Sequence, residues 1–435
     1  MSIAGKLPAA PIHRLTRPLA RFLHIESLGG IVLLLCTIVA LIIANSPAAN
    51  AWERFWHTPV ALQIGEWKLG GELGHFFVSD VLMTIFFFVV GLEIKRELVS
   101  GELREPRKAA LPVIAALGGM LVPAGVYLAL MHGKPGERGW GVPMATDIAF
   151  VVGLLALLGP RVPLGLKILL LSLAIADDIG AVVVIAAFYN TGLDFAALAV
   201  AGGGLGLVFI LRTLGVRSIF VYTLLGVSIW LATHKSGVHP TIAGVALGLL
   251  TPSMTWVSRA SLRLALTDLA AELREDGHDD VGAEDLKLMA FAAKESVSPL
   301  ERLEARLHPW VSFVIMPLFA LANAGVAVNA DAIRDPVAVA VALGLFLGKP
   351  VGVLLFSWLA VKAGAARLPQ GVTWNAMAGA GFLAGIGFTM SLFVANLGLE
   401  ANELAAGKVG TLAGSVLSAV VGAIVLRLVL TRKSV

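Results

Sequence analysis

Residues 169–184 read LLLSLAIADDIGAVVV, and this stretch decides the fold. Two adjacent carboxylates, Asp177 and Asp178, interrupt an apolar run that continues for several helical turns on either side. Ionisable residues deep inside a membrane-spanning helix are costly and usually functional. Adjacent helix residues point about 100° apart, so one carboxylate can face a water-filled cavity while the other faces a neighbouring helix. The alternative is a purely structural ion pair.

The composition of the whole chain indicates a lipid environment. Hydrophobic residues make up 57% of the 435 residues and charged residues only 14%, whereas soluble proteins carry about 25% charged residues. The net charge of +4 fits a membrane protein, because such proteins concentrate Lys and Arg on their cytoplasmic side. Without a compact basic domain we expect no nucleic-acid partner. The single cysteine, Cys36, excludes an intrachain disulfide.

Long apolar segments recur along the chain. A spanning helix needs roughly 20 mostly apolar residues, and about twelve segments approach this length. The sequence therefore predicts an all-α polytopic membrane protein with about twelve transmembrane helices. The segments lie near residues 28–45, 75–93, 109–131, 141–158, 164–189, 194–211, 217–232, 238–250, 308–327, 336–361, 372–397 and 404–428.

The charge distribution predicts the orientation and the domain limits. Lys and Arg concentrate in the connections that are cytoplasmic if the N-terminus is inside, so both termini should be cytoplasmic. We expect residues 1–27 to form a cytoplasmic segment, 28–428 the membrane domain and 429–435 a cytoplasmic tail. The first apolar run reads as a retained helix rather than a signal peptide, because no small-residue cleavage pattern follows it.

Two connections have structure of their own. Alternating apolar residues flank Gly65-Glu66 within residues 60–69, which predicts a β-hairpin on the outside. The connection 251–307 is the longest polar region and is predicted to be cytoplasmic. Within it, leucines at helical spacing among charged residues predict an amphipathic surface helix near 259–275.

Lys349 is a cationic residue inside an apolar segment. About a dozen apolar residues flank it on either side, so its ammonium group cannot easily reach water and needs an anion. Asp177 and Asp178 are the natural candidates. The preceding glycines superficially resemble a phosphate-binding loop, but the spacing is one residue short and Pro350 replaces the required Ser or Thr. Nucleotide binding is therefore rejected.

Two apolar segments are interrupted. Pro143, Thr146 and Asp147 break the fourth segment, and the glycines of residues 384–390 break the eleventh. Unwound backbone is tolerated at membrane depth only beside a cavity or buried in protein. A pair of broken helices in corresponding halves of the chain points to a transporter binding site.

The sequence resembles the NhaA family of bacterial sodium–proton antiporters. This family is itself one of the examples from which the broken-helix rule was drawn. The resemblance runs from about residue 27 to 428 and is carried by ordered strings. These include VGLEIKREL (90–98), ATDIAF (145–150), LAIADDIGA (173–181), KSGVH (235–239), LHPWV (307–311), GKP (348–350) and GIGFTMS (385–391).

The resemblance implies a fold and a set of site residues. It implies twelve helices in two inverted repeats, two broken helices crossing at mid-membrane, and a homodimer in the bacterial inner membrane held partly by the hairpin. Asp178 resembles the main cation carboxylate, and Asp177 the partner of Lys349. Thr146 and Asp147 resemble the polar residues at the crossing. The candidates for the pH response are Glu93, Glu97 and Glu304.

The expected function is export of Na⁺ or Li⁺ in exchange for H⁺, electrogenic and regulated by pH, without a cofactor. The long 251–307 connection, Glu301, Ala305 and Pro240 depart from the family pattern, which puts the pH set-point in question. One alternative is a secondary transporter for another cation or solute. The other is a membrane-embedded aspartyl enzyme, which is disfavoured because its glycine-rich aspartate motif is missing from the sequence.

Overall fold

The computed structural model describes residues 26–65, 67–190, 192–216, 218–258, 260–267, 283–328 and 330–431, and these parts are mostly helical. The helices are α1 (Glu26–Ala44), α2 (Ala49–Trp56), α3 (Leu73–Ser100), α4 (Pro106–Met131), α5 (Ile148–Leu158), α6 (Leu164–Phe188), α7 (Phe195–Thr213), α8 (Ile219–Lys235), α9 (Thr241–Leu250), α10 (Ala283–Glu295), α11 (Pro299–Asn323), α12 (Ala330–Arg334), α13 (Pro336–Lys362), α14 (Trp374–Ala384), α15 (Phe388–Gly398) and α16 (Ala401–Thr431).

Several helices contain or adjoin non-α turns. Short 3₁₀ helices occupy Glu102–Arg104, Glu137–Met144 and Gly159–Arg161. Wider π turns begin α3 at Leu73–Leu82 and lie inside α11 at Val311–Ile315 and inside α13 at Gly344–Gly348. Such turns are rare and are frequent at functional sites. The one in α13 ends directly before Lys349.

The described residues contain enough apolar helix for a polytopic membrane protein. Eight helices are long and apolar enough to cross a bilayer, or up to ten if two bent pairs each count as one span. The bent pairs are α1 with α2, at 118°, and α14 with α15, at 46°. The helices α8 and α9 are apolar but shorter. The predicted fold class is confirmed, whereas the count of twelve spans stays a prediction.

The distribution of polarity is the reverse of that in a soluble protein. Large apolar side chains face outward, as Leu121 and Val183 do with 58% of their surface exposed, while Asp177 and Lys349 are at most 1% exposed. In water an exposed apolar surface of this extent would be unfavourable, but in lipid it is the solvated surface. The charges are therefore held inside the bundle.

The predicted β-hairpin lies where the alternation placed it. Strand β1 (Pro59–Ile64) pairs antiparallel with β2 (Trp67–Glu72), in the register Leu62 to Leu69. Gly65 adopts a φ of +61°, a conformation that favours glycine at the turn. The hairpin is covalently continuous with α3 and contacts its first turns.

Helices α4 and α13 form the closest packed pair of the bundle. A Cβ atom added at Gly348 would lie 2.8 Å from the Cα of Pro123, and one added at Gly118 would collide with the carbonyl of Gly352. Small residues let helix backbones approach closely in a membrane, where packing replaces the hydrophobic effect. This contact fixes Lys349 beside α4 and, through the packing of α4 on α6, beside Asp177.

The connection 251–307 is more helical than its polarity suggested. Residues 260–267 are helical, within the predicted amphipathic stretch, but Leu269 and Leu273 lie outside the described residues. Helix α11 begins at Pro299 rather than near residue 308. The reason is a capping box: the Ser298 hydroxyl accepts from the Glu301 amide, and the Glu301 carboxylate accepts from the Ser298 amide.

Candidate functional site

Two interruptions of the helices meet in the middle of the bundle. Residues 145–147 are extended between the 3₁₀ helix Glu137–Met144 and α5. Residues 385–387 separate α14 from α15. The Asp147 amide donates to the Ile386 carbonyl at 2.7 Å, so the two breaks are hydrogen-bonded to each other. The predicted pair of broken helices is confirmed.

Asp147 lies at the N-termini of two half-helices. Its carboxylate accepts from the Phe150 amide of α5 at 3.3 Å and from the Thr389 amide of α15 at 3.1 Å. The Thr389 hydroxyl donates to the same carboxylate. Each helix N-terminus carries roughly half a positive charge, which a carboxylate offsets. Asp147 thus stabilises both chain breaks at once, although it is only 1% exposed.

Lys349 supplies the opposite charge on the other side of the crossing. Its ammonium group is completely buried and lies 2.9 Å from Oδ2 of Asp177. It also donates to the carbonyl of Met144, the last residue of the 3₁₀ helix. A cation at a helix C-terminus offsets the partial negative charge of the free carbonyls. Of the two carboxylates that the sequence offered, the structure brings Asp177 to Lys349.

Thr146 joins the breaks to the ion pair. Its hydroxyl lies 2.6 Å from Oδ2 of Asp177 and 2.8 Å from the carbonyl of Ala384, the last residue of α14. The other oxygen of Asp177, Oδ1, is buried without a hydrogen-bond partner in the described part of the chain. Buried polar atoms without partners are uncommon in folded proteins. Oδ1 is therefore an acceptor that a proton or a cation can use.

Asp178 differs from the other buried charges of the crossing. It is 4% exposed and has no hydrogen bond or ion pair with any residue that the structure describes. The charged groups that act on its carboxylate are mostly acidic: Glu93, Asp177 and Asp147. A buried carboxylate without a partner is unfavourable unless it binds a proton or a cation. The site thus contains one vacant acidic group beside a balanced set of charges.

Glu97 lies between α3 and α6, on the side of Asp178. One of its carboxylate oxygens accepts from the Ser172 hydroxyl at 3.1 Å and from the Glu102 amide at 2.9 Å. Ser172 precedes Asp178 by six residues, which is about 9 Å along the helix. Glu93 is half-buried one turn further into α3. The two acids lead along α3 towards Asp178.

Glu304 marks the end of α11 nearest α3. It forms an ion pair with Arg96 of α3. The Arg96 side chain is 48% exposed and that of Glu304 only 12%. His308 and Glu301 are the other charged or titratable groups that act on Glu304. This cluster lies at the surface and is separate from the crossing.

The structure adds partners that the sequence analysis did not identify. Thr389 stood in a quoted motif, and Arg96 in another, so a signal existed for both. Ser172 was visible as a hydroxyl one and a half turns before Asp178. The carbonyls of Met144 and Ala384 carry no sequence signal, because every residue has a carbonyl and only the three-dimensional fold selects these two.

The chemistry that this arrangement permits is cation and proton binding by oxygen. Hard cations prefer carboxylate, hydroxyl and carbonyl oxygens, and the crossing offers all three kinds. The carbonyls of Met144, Ala384 and Ile386 each accept one hydrogen bond here, and each carbonyl oxygen has a second lone pair that a cation can use.

Known proteins resemble this chain over nearly its whole length. The family described as Na⁺/H⁺ antiporter 1 matches residues 20–426. A Na(+)/H(+) antiporter NhaA 2 of Acidiphilium cryptum is 50% identical over 421 residues, covering 96% of this chain and 93% of the relative. A Na(+)/H(+) antiporter NhaA of Rhodopirellula baltica is 49% identical over 418 residues, covering 96% and 95%.

A third relative extends the agreement. A Na(+)/H(+) antiporter NhaA of Rhizobium meliloti is 48% identical over 428 residues, covering 98% of this chain and 97% of the relative. Such coverage includes both broken helices, the paired aspartates and the buried lysine. The chain is a secondary transporter and not an enzyme, and it belongs to the Na⁺/H⁺ antiporter 1 family.

Proposed function

We propose that this protein exports Na⁺ in exchange for H⁺ and that Asp178 is the carboxylate that binds them in turn. The observation that carries the proposal is the contrast at the crossing, where Asp147, Asp177 and Lys349 are balanced and Asp178 has no partner among the described residues. The names of the relatives support sodium and protons as the exchanged ions.

Exchange follows from competition at one group. A deprotonated carboxylate attracts a monovalent cation, whereas a protonated one loses the charge that holds it. One site that faces each side of the membrane in turn therefore releases Na⁺ where it takes up H⁺. Asp177, the Thr146 hydroxyl and carbonyls of the interrupted backbone complete the oxygen ligands. The same oxygens suit Li⁺.

The exchange is electrogenic in this proposal. Oδ1 of Asp177 faces no donor within the described residues, and Oδ2 is held by Lys349 and Thr146. If the arriving cation separates Lys349 from Asp177, the lysine gives up a proton in addition to the proton released from Asp178. More protons than sodium ions then move in each cycle, and the membrane potential contributes to transport.

We assign the pH response to acidic residues on the surface where α3 and α11 meet. Glu93 and Glu97 lie along α3 on the way to Asp178, and Glu304 pairs with Arg96 at its end. Protonation of Glu304 removes the charge that holds α11 to α3. Because α3 packs against α6, a change at this surface reaches the helix that carries Asp178.

The placement in the membrane is also a proposal. We place the protein in the bacterial inner membrane as one twelve-helix domain, residues 28–428, with both termini cytoplasmic. We propose a homodimer to which the β1–β2 hairpin contributes, because a two-stranded sheet has two unpaired edges.

Ion flux in proteoliposomes tests the function directly. The purified protein is reconstituted, an inward-acid pH gradient is imposed, and a pH-sensitive dye reports proton movement when Na⁺, Li⁺ or K⁺ is added outside. We expect proton efflux with Na⁺ and Li⁺ but not with K⁺. An imposed membrane potential should change the rate. Absence of Na⁺-driven proton movement would refute the proposal, and indifference to the potential would refute electrogenic exchange alone.

A further inference from the structure

A cavity of about 660 Å³ opens where α4 and α6 begin and α13 ends. Arg107 and Lys108 from the first turn of α4 contribute to its rim, as does Arg367 from the segment after α13. The start of α6 provides Gly165 and Ile168. The cavity thus lies at the surface of the bundle, between the first turns of α4 and α6 and the segment that follows α13.

The rim of the cavity is basic. Three cationic side chains face one anionic side chain, that of Glu102. Lys108 already has a partner, the carboxylate of Glu105 at 3.0 Å. Arg107 and Arg367 make no ion pair with any described residue. Two guanidinium groups are therefore available to an anion at the mouth of the cavity.

The inner wall is mostly apolar, with Ser172 of α6 as its polar member. Leu111 and Pro112 of α4 face Ile168 and Leu169 of α6 across the cavity. A small inorganic anion gains nothing from such a wall. An amphiphile gains from both parts, because its head can reach the guanidinium groups while its chains contact the leucines and the isoleucine.

The cavity is separate from the ion site. Leu111 and Leu169 belong to an apolar cluster that continues into the bundle through Ala115, Leu173 and Val353. None of the residues of the crossing lines the cavity. Its one polar wall residue, Ser172, donates its hydroxyl to Glu97.

We propose that this cavity binds the phosphate head of an anionic phospholipid, with Arg107 and Arg367 as the phosphate ligands. Guanidinium groups bind phosphate oxygens through paired, charge-assisted hydrogen bonds. Basic pockets between helices at the membrane surface are a recurrent form of headgroup site. The apolar wall selects a lipid over free phosphate. Because α4, α6 and the segment that follows α13 border it, a bound lipid ties the start of α6, which carries Asp177, to the end of α13, which carries Lys349.

The test uses the full chain, purified in detergent and stripped of lipid. Phosphatidylglycerol, phosphatidylcholine or inorganic phosphate is titrated, and the unfolding midpoint is followed by tryptophan fluorescence, since a ligand of the folded state raises it with concentration. The variant is Arg107→Gln with Arg367→Gln. The matched control is Arg104→Gln with Lys362→Gln, which removes two exposed charges from the same end of the bundle but outside the cavity lining.

The expected result is a rise of the midpoint with phosphatidylglycerol and a far smaller one with phosphatidylcholine. The Arg107 and Arg367 variant should bind phosphatidylglycerol about thirtyfold more weakly, while the control pair keeps the affinity of the parent. Both variants must match the parent's midpoint in phosphatidylcholine, which shows that they are folded. If the first variant fails this check, the single substitutions, each expected to weaken binding about fivefold, replace it.

Three results would overturn the proposal. Equal weakening in the control pair would mean that only the general surface charge attracts the lipid. Inorganic phosphate that raises the midpoint as much as the lipid, and competes with it, would make this a free-anion site. Unchanged affinity in the arginine variant would place the lipid elsewhere.

Discussion

Asp177 and Asp178 are neighbours in sequence but occupy two differently built regions. Towards α4 and α13, Asp177 meets Lys349 and Thr146, and the crossing around it balances each charge with a helix end. Asp178 meets other acids and forms no bond within the described residues. Apart from Oδ1 of Asp177, the first region is complete without a ligand, whereas the second is not. A transporter needs a carboxylate of the second kind, because a carboxylate already satisfied by the protein itself has no affinity left for the ion.

The largest effect should come from the incomplete region. Asp178→Asn keeps the size of the side chain but removes its charge and its titratable proton. We expect Na⁺-driven proton movement to be lost at every pH, while folding is preserved, since a neutral amide costs less to bury than a carboxylate. Dye-based flux in proteoliposomes measures this. Asp331→Asn, an exposed carboxylate of α12, is the control. Near-normal exchange by Asp178→Asn would move the cation site elsewhere.

The complete region should also respond strongly in stability. Lys349→Met leaves Asp177 without its cation, and breaking a buried ion pair costs about 3–5 kcal/mol. The double variant with Asp177→Asn should recover most of this loss, because no uncompensated charge remains. Thermal unfolding in detergent compares the two.

The control for this comparison is Lys362→Met, at the exposed end of the same helix. It should lose at most the contact of its ammonium group with the Trp358 ring, 4.6 Å away, which is worth about 0.5–1 kcal/mol. If Lys349→Met were no less stable than Lys362→Met, the pair would not hold the crossing together.

A smaller effect is expected at the junction of the two regions. Asp147→Asn removes the charge that offsets two helix N-termini, each worth up to about 1–2 kcal/mol when buried. The apparent KM for Na⁺ should therefore rise roughly tenfold, with the maximal rate largely kept. Asp194→Asn is the control, since Asp194 caps α7 at the surface by the same kind of bond. A complete loss of exchange in Asp147→Asn would give Asp147 the role assigned to Asp178.

The smallest effect should lie outside both regions. Glu304→Gln removes the ion pair with Arg96, and a partly exposed pair is worth about 0.2–1 kcal/mol. One pH unit corresponds to about 1.4 kcal/mol, so the midpoint of the pH profile should move by less than one unit. The pair forms only when Glu304 is deprotonated, so we expect the midpoint to move upward. The rate against pH in proteoliposomes measures this, and an unchanged profile would remove Glu304 from the pH response.

The sequence predicted the charged residues of the crossing better than the partners that they bind. Charges within apolar runs identified Asp147, Asp177, Asp178 and Lys349, because each is costly in lipid wherever the helices pack. The choice of Asp177 over Asp178 for Lys349 rested on the family resemblance, since a lysine at unknown height can reach either. The partners that are backbone carbonyls could not be predicted, because their selection depends on where two interruptions meet in space.

The start of α11 was not predicted, because an apolar segment does not mark the whole helix. The segment was placed near residue 308 because hydropathy begins there, whereas the helix begins at Pro299 in a polar stretch. Hydropathy locates the part of a helix that lies in lipid, but hydrogen bonding locates its end. Ser298 and Glu301 carried that information as a capping box, and a search for caps would have found it.

The Thr146 hydroxyl carries one hydrogen and lies between two acceptors, so it can donate to only one of them at a time. When Asp177 is ionised, that hydrogen can point to its Oδ2, 2.6 Å away. When Asp177 holds a proton, the acid can donate to Thr146 while Thr146 turns its hydrogen to the Ala384 carbonyl, 2.8 Å away. Rotation of one hydroxyl accommodates both states, so the centre can gain or lose a proton without moving a single backbone atom.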